Sequence, residues 1–143
     1  MRIIEHLVVH CAATKPSMDC GVEEIRKWHK DQGWSDVGYH YVIRRNGCIE
    51  KGRPDDVIGS HVSGHNAKTI GVCMVGGCDD CGKPEANYTD EQWRSLRELL
   101  VDLQKRYDVP DERIIGHRDF PKVSKACPSF DVQTWWQTGE VKA

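Results

Sequence analysis

The chain has 143 residues, 38% of them hydrophobic, with 20 Lys+Arg against 22 Asp+Glu and a formal charge of −2. That length supports one domain burying about 70% of the surface its unfolded chain would expose, and the interspersed charges exclude a general nucleic-acid binder. The longest apolar runs, Leu7-Val8-Val9 and Ile70 to Val75, fall far below the ~18 residues of a membrane span, and Arg2, Glu5 and His6 interrupt any secretory apolar stretch. A soluble chain without its own export signal is expected.

In chain order, Glu5 to His10 and Ile70 to Val75 are short, branched and apolar, as strands buried on both faces are, and both belong in the middle of a sheet. Val22, Ile25 and Trp28 recur at a spacing of three and predict a helix that stops at Gly33. Val37 to Ile43 alternates around aromatic and branched residues, Asn46-Gly47 offers the φ > 0 positions of a tight turn, and Cys48-Ile49-Glu50 completes a hairpin. Residues 76–87 read as the one long irregular loop. Thr89 with Gln92 forms a capping box for a helix whose apolar stripe is Trp93, Leu96, Leu100, Leu103 and Tyr107, closed by Pro110. Arg113 to Gly116 predicts a short strand, and Asp131 to Gln137 a terminal helix carrying Trp135 and Trp136. Alternating strands and helices predict an α/β (α+β) fold, with a central mixed β-sheet flanked by helices, as one domain over residues 1–143. Trp28, Trp34, Trp93, Trp135 and Trp136 read as core or core-edge residues.

Seven cysteines, at positions 11, 20, 48, 73, 78, 81 and 127, are an odd number in a chain whose core needs no staples, which fits a reducing compartment better than a disulfide framework. With seven histidines they make a metal site the first thing to test. His10 ends a buried strand beside Cys11, and strand neighbours face opposite ways, so one of the two reaches a given metal. His117 also sits where a strand gives way to a loop, and two strand-end histidines can meet at one rim of a sheet. Pro128 biases Cys127 toward an extended conformation, in which Lys125 and Cys127 project to the same side. Two neutral imidazoles and a thiolate suit zinc and leave its fourth position for water, an arrangement of catalysis rather than of structural support. The competing Cys73, Cys78 and Cys81 have the C-x4-C-x2-C spacing of an iron–sulfur ligand set. However, Cys73 falls inside a predicted strand, and Asp79 and Asp80 disfavour thiolates at the other two.

Val9-His-Cys-Ala-Ala-Thr-Lys-Pro16, Trp34-Ser-Asp-Val-Gly-Tyr-His-Tyr41, Ile70-Gly-Val-Cys-Met-Val-Gly-Gly77 and Lys125-Ala-Cys-Pro-Ser-Phe-Asp131 together resemble the zinc-dependent N-acetylmuramoyl-L-alanine amidases. The resemblance is strongest to phage lysozymes of the amidase type, which are related to the peptidoglycan recognition proteins, and it runs from about Ile3 to Trp136. It implies one zinc ion on His10, His117 and Cys127, which selects His10 over Cys11, with Tyr39 and Lys125 acting beside the metal. It also implies cleavage of the lactyl–L-alanine amide of peptidoglycan, as in a phage endolysin. Arg53, His61 and Asn66 resemble substrate contacts around the groove, a solvated loop being the ordinary alternative. His40 keeps a structural role, on the face opposite Tyr39, and His65 is unassigned.

Relatives lacking the metal cysteine bind peptidoglycan without cutting it, and Cys127 argues against that role here. Some lysozymes of this type also inhibit phage RNA polymerase, which enters as a second partner. The chain starts close to its first strand, so the N-terminal extension of those relatives is expected to be missing. A monomer that binds no nucleic acid, inserts in no membrane and gathers in the host bacterial cytoplasm before reaching the wall completes the expectation.

Overall fold

The computed structural model of the chain describes residues 2–143. Five strands form one sheet in the order β3-β2-β4-β1-β5, with β1 at His6–Cys11, β2 at Tyr41–Ile43, β3 at Ile49–Lys51, β4 at Thr69–Met74 and β5 at Ile114–Gly116. β1 runs parallel to β4 and β5, β2 runs parallel to β4, and β3 is the antiparallel edge. This is the mixed sheet expected from the alternating pattern. Every residue of β4, and every residue of β1 after His6, is buried, which is why both read as unbroken apolar runs rather than alternating ones.

Three helices cover the sheet: α1 at Val22–Asp31, α2 at Asp90–Tyr107 and α3 at Val132–Thr138. Thr89 caps α2 as its sequence predicts, with its hydroxyl accepting the Gln92 amide while the Gln92 side chain accepts the Thr89 amide. Asp108, in the left-handed region at φ 56°, ends α2 two residues before Pro110. Leu96, Leu100 and Leu103 of α2, with Val132, Trp135 and Trp136 of α3, pack on the sheet face bearing Leu7, Val9, Ile70 and Val72. α1 covers part of the opposite face through Val22 and Ile25, against Val42, Cys73 and Val75. That second face is only partly covered by helix, and it carries His10.

The structure corrects several sequence expectations. The hairpin turn uses one positive φ, at Gly47 (87°), rather than two. The Gly47 amide donates to the Arg44 carbonyl and the Arg44 amide to the Cys48 carbonyl, each at 2.9 Å, closing a three-residue loop in which Gly47 takes the left-handed position. Residues 76–87 are not the only long irregular connection, because residues 52–68 and 120–131 are irregular too. Trp28 and Trp34 are each 38% exposed rather than core residues.

Candidate metal centre and groove

His10 is the fifth residue of β1 and lies on the face turned away from α2 and α3. The β1–β5 register pairs Val9 with Gly116, so His117, next in the chain, is carried alongside His10, and their ring centroids are 4.5 Å apart. A single 3-10 turn at His117–Asp119 follows, held by the Asp119 carboxylate, which accepts the Gly116 amide at 2.8 Å. Within that turn the Arg118 amide donates to the Cys127 carbonyl at 3.0 Å. The Cys127 segment is pinned again where the Tyr88 hydroxyl donates to the Pro128 carbonyl (2.6 Å) and the Ser129 hydroxyl to the Gly77 carbonyl (2.9 Å).

One potential ligand atom from each of His10, His117 and Cys127 lies within 4.8 Å of the others, and this is the one such cluster of three among the described residues. Bonds of ~2.0–2.3 Å would hold the ligand atoms of a tetrahedral zinc about 3.3–3.8 Å apart, so small side-chain rotations suffice. The donor chemistry fits as well. Burial first, then the neighbouring His61, His117 and Lys125, holds His10 well below the usual imidazole range, and burial followed by Lys125 lowers His117. Both rings are therefore neutral near pH 7, the form that coordinates. The backbone amide of Cys11 donates to the Cys127 sulfur at 3.1 Å, a bond that favours the thiolate. A hydrogen bond with the Cys11 thiol, then burial, pushes the Cys127 thiol up, a cost that a coordinated cation reverses.

Tyr39 packs against this cluster, its ring 5.0 Å from that of His10. A strict alternation from Val37 to Ile43 would put Tyr39 and Tyr41 on one face, yet Tyr41 joins the α2 core while Tyr39 lies with Val42 and Cys73 on the other. The pairing shows the cause. Consecutive carbonyls of Tyr39 and His40 accept consecutive amides of Arg53 and Gly52, where a regular antiparallel ladder bonds every second residue. The irregularity turns Tyr39 toward the histidines, where burial raises its phenol well above the ordinary value and keeps it a hydrogen-bond donor.

An open groove of about 660 Å³ meets the cluster at His117, with Trp34, His61, Asn66, His117 and Lys125 in its walls. Lys125 is exposed on the wall formed by residues 121–125, while His10 is only 1% exposed beneath His117. The segment holding Lys125 and Cys127 is irregular rather than an extended strand, and the Ser129 amide turns back to the Ala126 carbonyl at 2.7 Å. Strand alternation therefore does not govern where Lys125 points.

The three predicted substrate contacts separate. Arg53 is absent from the groove walls, and its guanidinium donates to the Val37 and Ile58 carbonyls at 2.7 and 2.8 Å. Asn66 lines the groove, and its side-chain oxygen accepts the His61 and Val62 amides, which shapes the loop. His61 is 8% exposed and binds inward, with Nδ1 2.8 Å from His10 Nε2 and Nε2 3.0 Å from the Thr69 hydroxyl. Gly71 makes room for it, since a Cβ there would come within 2.7 Å of the His61 ring. The sequence assigned no role to Gly71, Thr69, Tyr88 or Ser129, although Gly71 and Ser129 fall within the quoted motifs. His40 is buried between the Gly71 amide, which it accepts at Nδ1, and the Val57 carbonyl at Nε2. His65 lies against Phe120, with ring centroids 4.6 Å apart. Cys73 lies buried within β4, and Cys78 and Cys81 lie outside it in the following loop.

The family described as N-acetylmuramoyl-L-alanine amidase matches residues 1–130 of the chain. An endolysin of Klebsiella phage KP32 is 53% identical over 135 residues, covering 94% of this chain and 87% of that protein. Among solved structures, the N-acetylmuramoyl-L-alanine amidase LysC from Clostridium intestinale URNW superposes with a TM-score of 0.75 at 29% identity, over 89% of this chain and 77% of LysC. Bumblebee PGRP-SA shares the fold, with a TM-score of 0.76 at 22% identity over 96% of this chain and 83% of that one.

Proposed function

The chain belongs to the N-acetylmuramoyl-L-alanine amidase family and is a peptidoglycan amidase of the endolysin type; we propose that it cleaves the lactyl–L-alanine amide with one zinc ion held by His10, His117 and Cys127. The observation that carries the reading is the meeting of those three side chains, one of which, His117, lines an open groove. When bound, zinc supplies Lewis acidity toward the scissile carbonyl and lowers the pKa of water toward ~7.

The residues of the chain supply the rest. Lys125, exposed on the groove wall beside His117, presents a cation to the oxyanion that develops as the amide carbon becomes tetrahedral. Tyr39, protonated and packed on His10, offers a hydroxyl that orients the attacking water or bonds the same oxygen. The leaving group is the α-amine of L-alanine, which takes up one proton as the C–N bond breaks. Trp34 presents an exposed indole in the groove wall, an apolar face for a sugar ring or stem peptide.

The substrate places the site of action at the host cell wall, and accumulation in the infected host's cytoplasm until the membrane is breached completes the proposal. A phage RNA polymerase enters only through the resemblance, and a binding titration with that polymerase tests it. The enzyme reading is tested on purified Gram-negative peptidoglycan. New L-alanine amino termini, without new reducing sugar ends, should appear, vanish on chelation and return with zinc. Wall binding without any release would turn the reading toward a binding module.

A further inference from the structure

We propose that a hydrogen-bond relay from the His65 carbonyl through Thr69 and His61 selects the tautomer of His10 that binds metal, so that Thr69 and His61 are positioning residues of the centre. The inference rests on the zinc reading above and deepens it.

The relay has a direction because its far end can only accept. Thr69 Oγ1 lies 2.9 Å from the His65 carbonyl, and a hydroxyl has one proton to donate. With that proton committed, the same oxygen accepts from His61 Nε2, 3.0 Å away. A neutral imidazole carries one N–H, so His61 Nδ1 is a bare acceptor, and the proton in its 2.8 Å contact belongs to His10 Nε2. His10 is left with an unprotonated Nδ1 as its metal-binding atom. The reverse assignment would deprive the His65 carbonyl of its donor and place a proton on His10 Nδ1, closing that ring to a cation.

Burial sharpens the selection. Thr69, His61 and His10 are 3%, 8% and 1% exposed, so bulk water does not compete for these bonds, and an unmade one is costly. Gly71 leaves the space in which the His61 ring lies between Thr69 and His10. A ring nitrogen opposite the metal that donates to a fixed acceptor both sets the ligand's orientation and raises its basicity. By this account His61 faces the metal side of the fold, and its place in the groove wall is secondary.

The test reads the tautomers directly. Two-bond proton–nitrogen NMR correlations of histidine-labelled protein, before and after zinc is added, should show His61 and His10 protonated at Nε2, with His10 Nδ1 moving when zinc binds. A proton on His10 Nδ1, or zinc binding through Nε2, would overturn the proposal. Thr69→Val removes the hydroxyl at nearly constant volume and should lower zinc affinity about 10–100-fold, with Thr69→Ser restoring it. Wild-type affinity in Thr69→Val, or a Thr69→Ser protein as weak as the valine variant, would reduce Thr69 to a packing role and sink the relay. If the wild type takes up no zinc, the zinc reading fails, and the spectrum of the zinc-free protein alone decides whether the relay exists.

Discussion

The backbone amide of Cys11 donates to the sulfur of Cys127 at 3.1 Å, joining residues 116 positions apart. A strand-end amide thereby supports a thiolate supplied by a loop, and that amide survives any change at residue 127. Cys127→Ser replaces the soft ligand while leaving the donor in place. Its zinc affinity should fall by more than the about 10–100-fold that loss of a ligand's supporting hydrogen bond costs. Metal content after dialysis against a weak chelator measures this, and a variant that keeps stoichiometric zinc would remove Cys127 from the ligand set.

Lys125 stands on the groove wall without a place among the three ligands. Lys125→Ala should therefore retain zinc while kcat on peptidoglycan drops about 10²–10³-fold, the range typical of removing one oxyanion-stabilising group. A variant that had lost its metal would contradict a role in charge stabilisation.

A methyl group at residue 71 would come within 2.9 Å of three atoms of the His61 ring. Gly71→Ala should cost about 1–3 kcal/mol of stability by overpacking and weaken zinc binding, because His61 leaves its contact with His10. Thermal unfolding and zinc titration of the same preparation report both effects. An unchanged affinity would mean that the ring can shift without disturbing the centre.

Burial holds His40 down to about 4 and His61 down to about 3. The unfolded chain takes up these protons near pH 6.5, whereas the fold refuses them until far lower pH. Both groups therefore contribute stability that is complete above about 6.5 and is lost as pH falls toward 4 and then 3. Each group should contribute a slope of up to about 1.4 kcal/mol per pH unit across that window. Denaturant unfolding at pH 7.5, 6.0 and 5.0 measures the loss, and a flat profile would show that these imidazoles are not held neutral by the fold.

Sequence by itself determined the elements whose physics is local. Thr89 and Gln92 announce the start of α2 because a capping box needs only four consecutive positions, and β1 and β4 declare themselves because strands buried on both faces must be apolar throughout. The three candidate ligands that meet in the structure were legible too, since ligand chemistry restricts residue type, whereas Lys125 enters through the resemblance.

Tertiary structure decided what depends on register and on contacts between distant segments. Tyr39 turns toward His10 because consecutive carbonyls pair with Gly52 and Arg53, and no periodicity in 37–43 foretells that break. Arg53 is committed to the backbone carbonyls of Val37 and Ile58, and a composition that suits a binding loop equally suits a loop that braces itself. His61 reaches His10 only because Gly71, on the neighbouring strand, has no side chain. A hydrogen bond needs its partners within about 3 Å, and which residues come that close is settled by how strands align and loops fold back, information that no single segment carries.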